Sequence, residues 1–278
     1  MSEAAFHTLQ LERDGSVTWL RLNRPERLNA LTEESCAELA EALRAVEADA
    51  GARVLVLTGC GRGFCAGSDV DGMRDRLEWS AARQLERFER LGREIVLPLH
   101  RLRIPTLAAI NGPASGGGLS LALACDVCLA VEDATIGFGF TGVGLIPDLG
   151  ATYFLPRRIG LSRACALVWS NARLTARQAF EIGLVDEVVP AAQFEARVRT
   201  LAATIAAAPE LAVRLGRMAM RSAVEGSLEE ALEAETRAQN LCLRSQDHRE
   251  RVLAFLRDRS SRGGRKGAES VKEGGPHD

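Results

Sequence analysis

Thr106-Leu-Ala-Ala-Ile-Asn-Gly-Pro-Ala-Ser-Gly-Gly-Gly-Leu-Ser-Leu-Ala-Leu-Ala-Cys-Asp-Val-Cys-Leu-Ala-Val131 is the stretch in which the fold can be read. Thr106 to Ile110 and Asp126 to Val131 are short apolar runs of strand length. Asn111 to Gly118 is a loop, and Leu119 to Ala124 reads as a helix that starts directly after three glycines. A strand, a loop, a helix and a second strand in immediate succession make an α/β arrangement.

The flanking sequence extends that pattern. Upstream, Ser16 to Leu22 alternates as a strand does and is ended by Asn23-Arg-Pro. Leu39, Leu43 and Val46 recur at helical spacing from Thr32, a plausible N-cap, to Ala48. Val54 to Leu57 is wholly apolar, as a strand buried on both faces is. It runs into the loop Gly59-Cys-Gly-Arg-Gly-Phe-Cys-Ala-Gly67, and a long helix is predicted from Ser80 to Arg103, stopped by Pro105. Downstream, helices are predicted at 151–170, 176–183, 194–207, 209–223 and 228–256. This gives an α/β core over 1–200 and a helical region over 201–258. Residues 259–278, almost without apolar side chains, read as a disordered tail.

Composition narrows the function. With 46% hydrophobic and 26% charged residues the chain is an ordinary folded protein. A net charge of −2, with lysine only at Lys266 and Lys272, offers no basic field for nucleic acid. Seven cysteines, an odd number, suggest reduced thiols in a cytoplasmic protein. Met1 to His7 lacks the pattern of a signal peptide, and no uncharged apolar stretch reaches membrane-spanning length. Of 26 glycines, 15 fall between Gly59 and Gly150, so tight turns or close ligand approach concentrate there. A glycine loop that opens a helix offers unpaired N–H groups to an oxyanion, although three glycines also suit a plain strand-to-helix connection. Cys125 and Cys128 have CxxC spacing but no second pair to complete a zinc site, and read as core thiols. Asp126 reads as a structural hydrogen-bonding group, and the arginines from Arg74 to Arg103 as a solvated helix face.

Six segments in order resemble the crotonase, or enoyl-CoA hydratase/isomerase, superfamily over roughly residues 6–258. They are Asn23-Arg-Pro-Glu-Arg-Leu-Asn-Ala-Leu31, Gly63-Phe-Cys-Ala-Gly-Ser-Asp69, Ala109 to Gly118, Ala124-Cys-Asp126, Gly144-Leu-Ile-Pro-Asp-Leu-Gly-Ala-Thr152 and Leu174 to Asp186. The resemblance implies stacked ββα turns with a C-terminal helical part serving trimer formation, hence a homotrimer or hexamer. It implies an acyl-CoA thioester as substrate, with coenzyme A part of the substrate and neither separate cofactor nor metal. The family's oxyanion hole maps onto the backbone N–H groups of Ser68 and Gly117. Arg27, Leu28 and Ala30 match the segment that lines the CoA portion; Ala66, Asp69 and Val70 match the part that grips adenine and pantetheine.

The two glutamates that activate water in the family's hydratases fall at Ser120 and Phe140 here, where neither residue is an acid or base of useful strength. Asp148 remains, at the position where the isomerases and a dehalogenase of the family carry an aspartate. Its surroundings most resemble the phenylacetate-pathway epoxyphenylacetyl-CoA isomerase group. Read alone, Asp148 reads first as a cap of the helix starting near Ala151. The resemblance implies an enoyl-CoA isomerase with Asp148 as its acid/base, desolvated by a wall of Phe138, Phe140 and Leu145. The alternatives are an atypical hydratase, a non-catalytic acyl-CoA binder, or an aspartate-nucleophile dehalogenase. The dehalogenase group carries a histidine and a tryptophan where this chain has Arg93 and Phe140.

Overall fold

The computed structural model describes residues 6–269 and has two compact units, which divide between Ala207 and Ala208. In the first, β1 (Leu9–Asp14) pairs antiparallel with β2 (Val17–Leu22), and the chain then forms α1 (Glu33–Ala48) and β3 (Val54–Gly59). Next come α2 (Val70–Arg76), α3 (Ala81–Leu91), α4 (Leu97–Arg101), β4 (Thr106–Ile110), β5 (Ala114–Ser115) and α5 (Gly117–Ala124). They are followed by β6 (Val127–Val131), β7 (Thr135–Gly137), α6 (Ala151–Ile159), α7 (Leu161–Trp169) and β8 (Arg173–Thr175). The unit closes with α8 (Ala176–Glu181), β9 (Glu187–Val189) and α9 (Phe194–Ala206). The second contains α10 (Glu210–Ala223), α11 (Leu228–Leu243) and α12 (Gln246–Glu269). No described helix is long and apolar enough to cross a membrane.

The main sheet has the order β1-β2-β3-β4-β6-β9, all parallel after the first pair, and a smaller sheet joins β5, β7 and β8. β3 and β4 are buried at every position, as strands covered on both faces must be. Thr32 caps α1 in a reciprocal capping box with Ser35, and the strands at 54–57, 106–110 and 126–131 lie where the sequence suggests. Asp126 holds Thr106 at both its amide (2.8 Å) and hydroxyl (2.9 Å), which ties β6 to β4 in the structural role expected.

Several expectations are corrected. The helix predicted over 80–103 is three pieces: α3, a wide π turn at Gly92–Val96, and α4. Pro98 cannot donate an i→i−4 bond, and the wider turn before it removes the clash of its ring with the preceding carbonyl. The helix expected over 151–170 breaks at Gly160, and that over 228–256 breaks at Arg244–Ser245. The core boundary lies seven residues beyond 200, because α9 packs on β2 and β3 and buries Val198 and Ala202. α12 runs through Glu269, into the stretch read as disordered. Once a helix is nucleated, arginine, lysine and glutamate extend it at little cost. Residues 270–278 of that stretch lie outside the described ones.

Gly118 is required by packing: a Cβ there would stand 2.5 Å from both Cβ and carbonyl oxygen of Cys65. Gly118→Ala is expected to cost roughly 1–3 kcal/mol of stability through overpacking, read as a lower Tm.

Candidate active site

Because β3 and β4 are parallel neighbours, the loops leaving their C-terminal ends run side by side, where open α/β sheets place ligands. Pairing continues into the loops: Cys65 bridges Ala114, and the Ser115 amide donates to the Cys65 carbonyl at 2.9 Å. On the other side Leu31 bridges Ser68. That bridge uses the Gly67 carbonyl (2.7 Å from the Leu31 amide) and the Asp69 amide (3.0 Å from the Leu31 carbonyl). The Ser68 amide is therefore turned away from Leu31. Gly67 has φ +91°, and a Cβ on it would stand 2.9 Å from the Ser115 oxygen and 3.4 Å from the Gly117 nitrogen. Gly117 begins α5, two residues earlier than the sequence suggests, so its N–H belongs to the first turn, which has no intrahelical partner. The fold thus brings together the two amides expected to form the oxyanion hole.

α6 packs against α5 and brings the residues just before it over Gly117. A Cβ on Gly117 would lie 3.8 Å from Asp148 Oδ1 and 2.9 Å from Leu149 Cδ1. Asp148 Oδ1 is buried and has no hydrogen-bond partner in the protein. Burial pushes its carboxyl from the ordinary 3.8 up to about 6, against the opposing pull of Arg87 and Arg76. Asp148 does not cap α6: the N-cap is Gly150, with no side-chain bond, and only the Asp148 carbonyl takes part, accepting from the Ala151 amide at 3.0 Å. Leu149, between them, is held at φ +49°, a strained conformation for a branched side chain.

The expected apolar wall is partly replaced. Phe138 and Phe140 are buried and stacked, with Phe140 7% exposed and its Cζ 4.0 Å from a Cβ placed on Gly116. Leu145 remains 49% exposed, and Leu149 and Leu31 close on Gly117 in its place. Ser120 is buried, and its hydroxyl donates to the Gly116 carbonyl at 3.2 Å.

Sequence reasoning missed a charged cluster beside the Ser68 loop. Glu33, at the head of α1, accepts from Arg87 Nε and from Arg90 Nη2 (2.6 Å) and lies 4.0 Å from Arg76. Arg76 also donates Nη2 to Ser68 Oγ at 3.2 Å. The arginines of this helix therefore do not all form a solvated face, since the Arg87 side chain is only 6% exposed. The signal was in the spacing: Arg87, Leu91 and Ile95 recur every four residues along one buried stripe.

The Arg27–Ala30 and Ala66–Val70 segments are neighbours, joined by the Ala66 amide donating to the Leu28 carbonyl at 2.9 Å. Arg27, Ala66 and Val70 are exposed, Leu28 half-buried and Ala30 buried. The Asp69 side chain is occupied within the protein. It caps α2 through the Asp71 amide (3.0 Å) and the Gly72 amide (3.4 Å) and pairs with Arg24 at 2.9 Å. Burial disfavours its charge, but Arg24 and these amides outweigh burial and hold its carboxyl below the usual value. Cys125 and Cys128 are free buried thiols, pushed up by burial, Cys128 to about 11, and so inert.

A family model described as enoyl-CoA hydratase/isomerase matches residues 12–262. The chain is 40% identical over 244 residues to 1,2-epoxyphenylacetyl-CoA isomerase of Escherichia coli (strain K12), covering 88% of this chain and 93% of the relative. It is 33% identical over 258 residues to crotonyl-CoA hydratase of Syntrophomonas wolfei, covering 92% and 98%. Among solved structures, enoyl-CoA hydratase from Bacillus anthracis superposes with a TM-score of 0.85 at 33% identity, covering 90% of this chain and 96% of that one.

Proposed function

This chain belongs to the enoyl-CoA hydratase/isomerase family, and we propose that it is an isomerase that shifts a double bond in an enoyl-CoA, with Asp148 as its single acid/base. The observation that carries the reading is the buried, unpartnered Oδ1 of Asp148 beside Gly117. The Asp148 carboxylate takes a proton from the carbon that the thioester acidifies, and the electron pair moves onto the thioester oxygen. The Ser68 and Gly117 amides hold that oxyanion. Protonated Asp148 then returns the proton two carbons along, the double bond moves, and no atom is gained or lost. Ser120 and Phe140, one bonded to a helix carbonyl and the other stacked on Phe138, supply no second carboxylate to activate water. The isomerase activity in the name of the Escherichia coli relative supports the same choice. Self-association as a homotrimer or hexamer is part of the reading, supported by exposed Met218, Met220, Leu228 and Leu241 on α10 and α11. A cytoplasmic location is supported by seven free thiols.

The test is a panel of 2-enoyl, 3-enoyl, dienoyl and aryl-CoA thioesters, followed by absorbance and product mass. The expected result is conversion of a 3-enoyl-CoA to its conjugated isomer at unchanged mass. A product heavier by one water makes the enzyme a hydratase; binding without turnover of any thioester makes it a carrier.

A further inference from the structure

Ser68 is exposed, and its amide rides on a loop that Gly67 turns at φ +91°. Two separate contacts hold this residue. Leu31 grips the backbone, through the Gly67 carbonyl on one side and the Asp69 amide on the other. The side chain is gripped from elsewhere: Arg76 Nη2 donates to Ser68 Oγ at 3.2 Å. Arg76 is the last residue of α2, its side chain is only 13% exposed, and its Nη1 lies 4.0 Å from Glu33 Oε1. Glu33 stands two residues after Leu31 and is itself held by Arg87 Nε and, at 2.6 Å, by Arg90 Nη2. The contacts therefore close a ring. It runs from the Ser68 backbone through Leu31 to Glu33, and through Arg76 back to the Ser68 hydroxyl.

We propose that Arg76 is a positioning residue for the oxyanion hole, latching the Ser68 hydroxyl so that the Ser68 amide keeps its place beside Gly117. In this role Arg76 acts through the Ser68 amide, the oxyanion donor proposed above. The Leu31 bridge sets which way the peptide between Gly67 and Ser68 points, because the C=O and N–H of a planar trans peptide are opposed. It leaves that peptide able to rock about the bridge, over a glycine whose backbone resists rotation least. A planar guanidinium anchored on Glu33 holds the hydroxyl from the other side and stops the rocking. An amide aimed at a developing oxyanion is effective only when its direction is set beforehand. The surroundings fit the latch. A Cβ on Gly72 would stand 3.1 Å from Arg76 Nη1, so α2 is bare where the guanidinium lies. Gln84 Nε2 donates to the Arg76 carbonyl at 3.1 Å. Asp69, next to Ser68, is tied to the first turn of α2 through the Asp71 and Gly72 amides. The side chain at position 68 therefore matters as well as its amide.

The test reads the thioester carbonyl directly. Butyryl-CoA, which has no double bond to move or hydrate, carries carbon-13 at that carbonyl. Infrared difference spectra of the full-length protein then record how far binding lowers its stretching frequency. Ser68→Ala and Arg76→Gln are each expected to lose about half of the parent's shift. Each is also expected to lower kcat on a 3-enoyl-CoA about tenfold, with KM within about twofold. Ser68→Thr keeps the hydroxyl and is expected to keep the shift. The double variant, Ser68→Ala with Arg76→Gln, loses no more than the worse single variant, since both break one bond. A parent-like shift in Ser68→Ala, or losses that add in the double variant, overturns the latch. Should Arg76→Gln fail to fold, the contrast between alanine and threonine at the exposed position 68 decides. A parent that shifts the carbonyl yet isomerises no enoyl-CoA counts against the reaction proposed above and not against the latch. A parent that binds butyryl-CoA with no shift at all overturns both.

Discussion

Asp148→Asn is expected to lower isomerisation of a 3-enoyl-CoA by roughly a hundred- to ten-thousand-fold, the usual contribution of a positioned acid/base. The amide keeps the shape of the carboxyl and removes its proton chemistry. The same variant is expected to be more stable than the parent above pH 6. Asp148 is an acid whose folded pKa of about 6 lies above its ordinary 3.8, so the native state pays for holding it ionised. That penalty amounts to about 3 kcal/mol at most. It is fully present above pH 6, fades between pH 6 and 4, and is gone below. Thermal unfolding at pH 8 and pH 4 should therefore show the variant stabilised at the first pH and level with the parent at the second, while a steady-state assay shows activity lost. Full activity in Asp148→Asn would remove Asp148 from the mechanism, whatever the unfolding curves show.

Gly67→Ala is expected to cut kcat at least a hundredfold and to lower Tm as well. At φ +91° a side chain is strained by about 1 kcal/mol or more. The new methyl would stand 2.9 Å from the Ser115 carbonyl oxygen, which is backbone and cannot swing aside. Relief requires one loop to move relative to the other, and the Ser68 and Gly117 amides sit on those two loops. Misplacing one oxyanion donor costs about 3 kcal/mol in the transition state. Initial rates beside urea unfolding separate the two effects: a variant that folds with near-parent stability and turns over normally would show that the oxyanion lies elsewhere.

How far the sequence could be read depended on whether a feature is local. β4, α5 and β6 follow from apolar runs and glycines within a single stretch, and α1 from Thr32 and its helical spacing. β1 escaped the sequence reading although Leu9 and Leu11 alternate with polar residues, because the strand is an edge whose order comes from pairing with β2. The three-residue strands β7, β8 and β9 carry too few residues for any period to show. Ser68, Gly117 and Asp148 could be named as candidates through the resemblance of their motifs to the family's. Arg76 could not, since a charged residue on a surface helix is ordinarily solvated, and for Arg87 the one signal was its four-residue spacing with Leu91 and Ile95.

The sequence by itself therefore determined the α/β class, the two glycine loops, and the absence of a glutamate pair at positions 120 and 140. These depend on residue identity, steric freedom and short-range spacing. Only the tertiary structure decided that Asp148 is no helix cap, that its Oδ1 is buried beside Gly117, and that Glu33 draws three arginines around it. Solvation and Coulomb energy depend on distance and burial. Glu33 and Arg87 lie far apart along the chain, as do Gly117 and Asp148, and no spacing in the sequence encodes how close packing brings each pair.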